Sequence, residues 1–298
     1  MLPRIKKRDA QKSKKVIKMK IRTITSCVIL AVMVPILLLS EYLIYPFALA
    51  LFSLAAVFEL LRAIGVHKEW KISLPAYFMA LALPFFTHDI FLDQNPEIQR
   101  NYMLDAVAVT FGYMLYIMAL AVFSKGKLKL SVVAEVYLAV TYVVISFTAL
   151  CLLRYIRYGD LCFFLVFVAA WGTDSGAYVA GTLFGKHKLI PEISPKKTVE
   201  GAIGGIFLST LVFIIYGICI EQLTDVDANY FILTVSGILL SVVAQIGDLI
   251  ASLIKREHGI KNYGNILPGH GGIMDRFDSI LAVSTPLIML CLICSPFK

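Results

Sequence analysis

Ser252-Leu-Ile-Lys-Arg-Glu-His-Gly-Ile-Lys-Asn-Tyr-Gly-Asn-Ile-Leu-Pro-Gly-His-Gly-Gly-Ile-Met-Asp-Arg-Phe-Asp278 is a polar, glycine-rich run set between two apolar segments, each long enough to cross a bilayer. Charge near hydrocarbon costs roughly 2.5–3.5 kcal/mol per residue at a helix centre on insertion scales, so a run of this kind marks a site. Its glycines leave backbone N–H groups open to an anion, and Lys255, Arg256, Lys261 and Arg276 add positive charge. Asp275 and Asp278, with Asp248 just upstream, are the carboxylates a hard cation needs. Cations, carboxylates and open backbone together point to a metal and phosphate site at a membrane surface.

The rest of the chain agrees with that setting. The 298 residues are 59% hydrophobic with a mean hydropathy of +0.80, which excludes an ordinary soluble domain. The apolar excess recurs in segments of about 20 residues, the length that spans ~30 Å of hydrocarbon. Nine are predicted, at 23–40, 42–63, 72–88, 102–123, 131–153, 159–183, 199–220, 229–253 and 274–296. The fold class expected is therefore an all-α, polytopic integral membrane protein of about nine transmembrane helices.

Lys and Arg alternate between connections. Residues 1–22 carry ten, the connection around Glu41 none, and the next Arg62, Lys68 and Lys71. Arg100 stands alone, Lys125, Lys127 and Lys129 follow, then Arg154 and Arg157, then Lys186, Lys188, Lys196 and Lys197. Segment 221–228 is acidic, and the last polar connection is basic again. The positive-inside rule then puts the N-terminus in the cytoplasm, the loops 185–198 and 255–275 with it, and the 221–228 loop outside. A multi-pass protein of the cell (inner or plasma) membrane, with its site on the cytoplasmic side, is the expected localisation. Three regions follow: a basic arm over 1–22, an N-terminal transmembrane bundle over 23–155, and a catalytic transmembrane region over 156–298.

The formal net charge of +8 is mostly the arm, which suits anionic headgroups. No aromatic residues interleave with its basic ones, so nucleic acid is not an expected partner. No small-residue cleavage site follows the first apolar run, which argues against a signal peptide. Cys291-x-x-Cys294 has redox spacing but lies in an apolar span without a charge to activate a thiolate, and reads as packing. Glu59, Asp105 and Glu135 are isolated acids in the N-terminal spans, for which a structural role is favoured over a polar cavity.

From residue 159 onward polar groups enter the spans in order. Asp174 and Tyr178 are i, i+4 in Trp171-Gly-Thr-Asp-Ser-Gly-Ala-Tyr178 and share a helix face, while Gly172, Gly176 and Gly181 permit close approach of another helix. The loop that follows holds Ser194-Pro-Lys-Lys-Thr-Val-Glu-Gly201; Pro195 stiffens its turn and Thr198 is the expected N-cap of the seventh helix. A helix N-terminus beside Lys196 and Lys197 suits phosphate. Asp248, Ser252 and Lys255 form one stripe of an otherwise apolar helix. An acid near the C-terminal end of a span gains nothing from the helix dipole, so Asp248 needs another reason to be there. His270, in Pro268-Gly-His-Gly-Gly272, is expected to meet a phosphate or nucleotide. No second His or Cys stands at zinc-ligand spacing, and neither a Walker phosphate loop nor a Ser/His/Asp arrangement is present.

These residues resemble the phosphatidate cytidylyltransferases, or CDP-diacylglycerol synthases. The family pattern runs Ser-x-apolar-Lys-Arg, four residues, Lys-Asp, then Pro-x-His-Gly-Gly-apolar-x-Asp-Arg-apolar-Asp. The chain follows it from Ser252 to Asp278 except that Asn262 stands after Lys261 where Asp is usual. Asp174-Ser-Gly-Ala-Tyr178, Ser194-Pro-Lys-Lys-Thr198 and Gln245-x-Gly-Asp248 also look like the family's, so the match covers the C-terminal half. The resemblance implies that CTP and phosphatidate become CDP-diacylglycerol and pyrophosphate with Mg²⁺, one ion or two. It assigns the metal to Asp248 and Asp275, with Asp278 and Asp174 in support, and phosphate binding to Lys196, Lys197, Lys255, Arg256 and Arg276. Ser194, Thr198 and Lys261 join the substrate set, and His270, Gly271 and Gly272 the CTP site. Partners are CTP, phosphatidate and membrane lipid; a homodimer is compatible, and the sequence does not set the oligomeric state. A CTP-dependent isoprenoid lipid kinase, an ether-lipid cytidylyltransferase and a transporter are the alternatives. Exchange of Asp248 or Asp275 for Asn is expected to nearly abolish turnover and to leave the fold as stable as before, or more so.

Overall fold

The computed structural model describes residue 25, residues 27–28, 31–88 and 96–298. The basic arm and the start of the first predicted span lie outside the described residues. Helix dominates what is described: α1 (helical residues 31–38), α2 (Ile44–Ile64), α3 (Trp70–Phe85), α4 (Pro96–Phe123), α5 (Leu130–Leu152), α6 (Gly159–Phe184), α7 (Val199–Leu223), α8 (Tyr230–Glu257) and α9 (Met274–Ile293). A helix is the form in which an apolar segment satisfies its own backbone without water. The breaks fall where the local chemistry requires them. Gly65, at φ 91°, closes α2 in the left-handed region, and Asn229 caps α8 by accepting from Ile232 N at 3.2 Å.

Seven of the helices, α2 and α4 to α9, are long and apolar enough to cross a membrane. That is fewer than the nine spans expected. α3 has 16 residues, with Pro75 and Pro84 inside it, and is only about 24 Å long at 1.5 Å per residue. For the first span only part of the predicted stretch is described.

Loop contacts sort the molecule into two ends. At one, Arg62 donates to Tyr263 O (2.5 Å), Glu135 pairs with His258, Arg256 donates to Ile193 O (3.3 Å) and Thr25 to Pro268 O (2.9 Å). At the other, Arg154 pairs with Glu41 (3.0 Å), His88 meets Tyr155 (2.8 Å), and Asn229 N donates to Pro296 O (2.9 Å). The connections expected on one side of the membrane meet one another, and so do those expected on the other.

α9 sits centrally and packs on α2, α5, α6 and α8, burying Leu281, Val283 and Leu287 completely. α6 and α7 approach backbone to backbone, as the glycines predict. A Cβ on Gly176 would lie 2.7 Å from Gly204 O, and one on Gly205 2.8 Å from Thr173 O.

One element departs from the all-α expectation. Within the 185–198 segment, expected as a loop, β1 (Lys188–Ile190) and β2 (Ser194–Thr198) form an antiparallel hairpin pairing Lys188 with Thr198 and Ile190 with Ser194. Pro195 lies within β2 rather than at the turn. A two-stranded sheet has only edges, so proline's missing N–H is tolerated there.

Candidate active site

At the end of the bundle that carries the hairpin, a cleft of about 560 Å³ opens between α6, α7, α8, α9 and β2. Its walls include Asp174 and Tyr178 from α6, Lys196, Lys197 and Thr198 from the hairpin, Gln245 and Asp248 from α8, and Asp275, Arg276 and Asp278 from α9. Four carboxylates and three cations scattered over about 100 residues of sequence thus face one space. Thr198 caps α7 as expected, its Oγ1 accepting from Gly201 N at 3.1 Å. Gln245 Nε2 donates to Ala202 O at 3.2 Å and ties α8 to the first turn of α7.

Lys197 Nζ forms an ion pair with Asp248, the side chains being 26% and 29% exposed. The lysine assigned to phosphate and the carboxylate assigned to metal neutralise each other. Asp275 is held differently. Its Oδ1 accepts from Lys255 Nζ (2.8 Å), and its Oδ2 from Tyr263 N (2.9 Å) and Gly272 N (3.0 Å). This pair is buried, with 10% of the Lys255 side chain and 6% of the Asp275 side chain exposed. The Tyr263 hydroxyl donates to Ala251 O at 2.8 Å. Burial, and then the charge of Asp275, push that phenol well above its ordinary range, so it remains a donor.

Several expected residues stand away from the cleft wall. Lys255 lies behind Asp275. Arg256 is exposed and ties α8 to the hairpin through Ile193 O. Ser194 opens β2 opposite Ile190. Lys261 and Asn262 are exposed on the loop after α8. His270 and Gly271 form a tight turn in which both backbone N–H groups donate to Leu267 O, at 2.9 and 3.1 Å. Gly271 takes φ +96°, and a Cβ on Gly272 would strike the Glu59 carboxylate. The anions that the glycine-rich backbone approaches in this structure are the protein's own Asp275 and Glu59.

Glu59 and Arg62 of α2 were outside the expected site. Glu59 is fully buried, and its Oε1 and Oε2 accept from Ile273 N (3.1 Å) and Met274 N (2.9 Å). Its only sequence signal is an acid isolated in an apolar helix, which supports a structural reading equally well.

Among the described residues no group of three His, Cys, Asp or Glu side chains is placed to hold a metal ion. Mg²⁺ does not require one, because it keeps several waters and takes one or two carboxylates plus phosphate oxygens. Of the four acids on the wall, Asp174, Asp248 and Asp278 offer oxygen donors only and face the same cleft. That donor set fits Mg²⁺.

Beside the cleft lies a second chamber of about 310 Å³, walled mainly by apolar side chains such as Val32, Phe52, Trp171 and Ile280. Asp174, Asp275, Arg276 and Asp278 line both spaces. A polar compartment and an apolar one therefore share a charged partition.

The profile of the cytidylyltransferase family matches residues 20–294. The phosphatidate cytidylyltransferases of Staphylococcus haemolyticus and Staphylococcus epidermidis are each 38% identical to this chain, over 282 and 280 residues. That of Staphylococcus aureus is 36% identical over 282 residues. Each alignment covers 92% of this chain and 99% of the relative.

Proposed function

The chain belongs to the cytidylyltransferase family, and from that premise we propose that it joins CTP to phosphatidate, releasing pyrophosphate and leaving CDP-diacylglycerol in the membrane. The observation that carries this is the shared partition. A nucleotide triphosphate suits the cleft with Lys196 and Lys197, acyl chains suit the apolar chamber, and Arg276 lies where the two phosphates must meet.

In the reaction a phosphate oxygen of phosphatidate attacks the α-phosphorus of CTP. The new P–O bond forms as the bond to the α–β bridging oxygen breaks, and that electron pair leaves with pyrophosphate. The nucleophile is already an anion at neutral pH, so the site needs alignment and charge compensation rather than a strong base. Lys197 turns from Asp248 to the triphosphate as the nucleotide enters, and Lys196 adds a second cation from the exposed hairpin. Arg276 holds the phosphatidate headgroup by a charge-assisted contact. Mg²⁺, one ion or two, would be held by Asp248 with Asp174 and Asp278 beside it, and would supply positive charge to the phosphate oxygens. Asp275, already bound to Lys255, Tyr263 N and Gly272 N, is the better anchor for the start of α9.

The same reading places the cleft on the cytoplasmic side of the cell membrane. It also lets the first predicted span, of which only part is described, and α3 cross with the seven longer helices, giving nine passes with the N-terminus inside. The alternating Lys/Arg count and the sorting of loop contacts into two ends support it. Purified protein given labelled CTP and phosphatidate should release pyrophosphate and form a lipid-linked CMP. Release of CDP with a phosphorylated lipid would point to a lipid kinase instead.

A further inference from the structure

We propose that Glu59 is a positioning residue of the active site, setting the rotation of α9 and with it the placement of Asp275, Arg276 and Asp278. The inference rests on the proposed reaction for its readout and on the contacts of α2 for its content.

α9 begins without a side-chain cap of its own. Its first free amides, Ile273 N and Met274 N, are instead met by the two oxygens of Glu59, which is 214 and 215 residues away in sequence. A carboxylate at a helix N-terminus satisfies orphan donors and the positive end of the dipole together. Two contacts, one from each oxygen, also fix the helix about its own axis. Successive side chains on a helix point about 100° apart, so a small rotation re-aims Asp275, Arg276 and Asp278 together.

The surroundings are shaped to this carboxylate. A Cβ on Gly264 or on Gly272 would collide with it. One turn along α2, Arg62 donates to Tyr263 O at 2.5 Å, and Tyr263 N donates to Asp275 Oδ2 at 2.9 Å. α2 therefore grips both sides of the 258–273 loop. A helix of the N-terminal half builds the wall on which the C-terminal half carries out its chemistry.

The test compares the wild type, Glu59→Gln and Gly272→Ala in purified, folded protein, with CTP and phosphatidate as substrates and thermal stability measured in parallel. Gln fills the same volume, but its amide turns an N–H toward one of the two α9 donors, so one contact is lost. A misplacement of about 1 Å in a catalytic group lowers rate on the order of a hundredfold. The expected result is a kcat at least about tenfold lower in the folded Glu59→Gln protein, with KM for CTP changed less than about twofold, beside a drop of a few degrees in melting from the unpaired buried donor. Gly272→Ala, which displaces the carboxylate from the other side, should show the same split. If Glu59→Gln melts lower while its folded fraction keeps wild-type kcat, Glu59 only stabilises the bundle and the proposal is overturned. Wild-type kcat with unchanged melting overturns it too. A wild type that forms no lipid-linked CMP would instead remove the proposed reaction, and that result is distinct from either.

Discussion

Lys197 of the hairpin and Asp248 of α8 form an ion pair across the mouth of the cleft, each about a quarter exposed. Exposed and half-exposed pairs contribute about 0–1 kcal/mol to stability, so this one is not what holds the hairpin down. A charged hydrogen bond from Lys197 to a phosphate is worth about 1.5–3 kcal/mol, or roughly 10–150-fold. Lys197→Ala should therefore lower kcat/KM for CTP within that range while leaving the melting temperature within a few degrees of wild type. Asp248→Asn should nearly abolish turnover with equally little effect on melting. Steady-state kinetics beside thermal melts in detergent separate the two effects, and unchanged kinetics for Lys197→Ala would leave the hairpin lysines to topology alone.

Asp275 and Lys255 behave differently because their pair is buried. Removing one partner of a buried pair leaves an uncompensated charge and costs about 3–5 kcal/mol. In Asp275→Asn an amide also faces donors from Lys255, Tyr263 and Gly272 that all require an acceptor. The variant should be inactive and should melt well below both wild type and Asp248→Asn. From sequence the two aspartates look equivalent, with neither exchange expected to harm the fold. The hydrogen bonds around Asp275 reverse that expectation for it and keep it for Asp248. Equal melting of the two variants would show that the buried pair carries no stability.

Topology is open to direct labelling. In a background without the six native cysteines, Asp225→Cys should react with an impermeant thiol reagent in intact cells. Lys188→Cys, on the hairpin, should react only after permeabilisation. The reverse pattern would invert the molecule and put the cleft outside.

How much of this was legible depends on the range of the interaction. Helix-forming apolar runs, the cap at Thr198 and the small-residue faces of α6 and α7 are local patterns, and they appear where the residues put them. Asp174, Asp248, Asp275 and Asp278 converge because charge has few places to go in a bilayer. The wiring among them was not legible. That Lys197 pairs with Asp248 depends on how the hairpin folds back, and that Lys255 pairs with Asp275 depends on how the loop after α8 returns the chain to α9. The grip of Glu59 on α9 links residues more than 200 apart, which no local period reports. The hairpin escaped because strands of three and five residues, one holding a proline, are too short for alternation to register. α3 has 16 residues against the 17 of the stretch expected at 72–88, starting two residues earlier and ending three earlier, so both are short of the usual span length.

The two chambers make a crossed prediction. Val32 lines the apolar space and is 48% exposed, so a larger side chain there fills volume without breaking packing. Val32→Trp should raise the apparent KM for phosphatidate several-fold and leave that for CTP unchanged. Lys196 lines only the polar cleft and is exposed. Lys196→Ala should raise the KM for CTP by about tenfold, the size of one lost charged contact, with little effect on phosphatidate. Arg276 lies in the partition between them, and Arg276→Lys should impair both, because an ammonium cannot reproduce the planar two-point grip of a guanidinium on phosphate. Kinetics with each substrate varied in turn would read all three. If Val32→Trp shifted the CTP constant instead, the apolar chamber would not be the lipid's, and the assignment of the two compartments would fall with it.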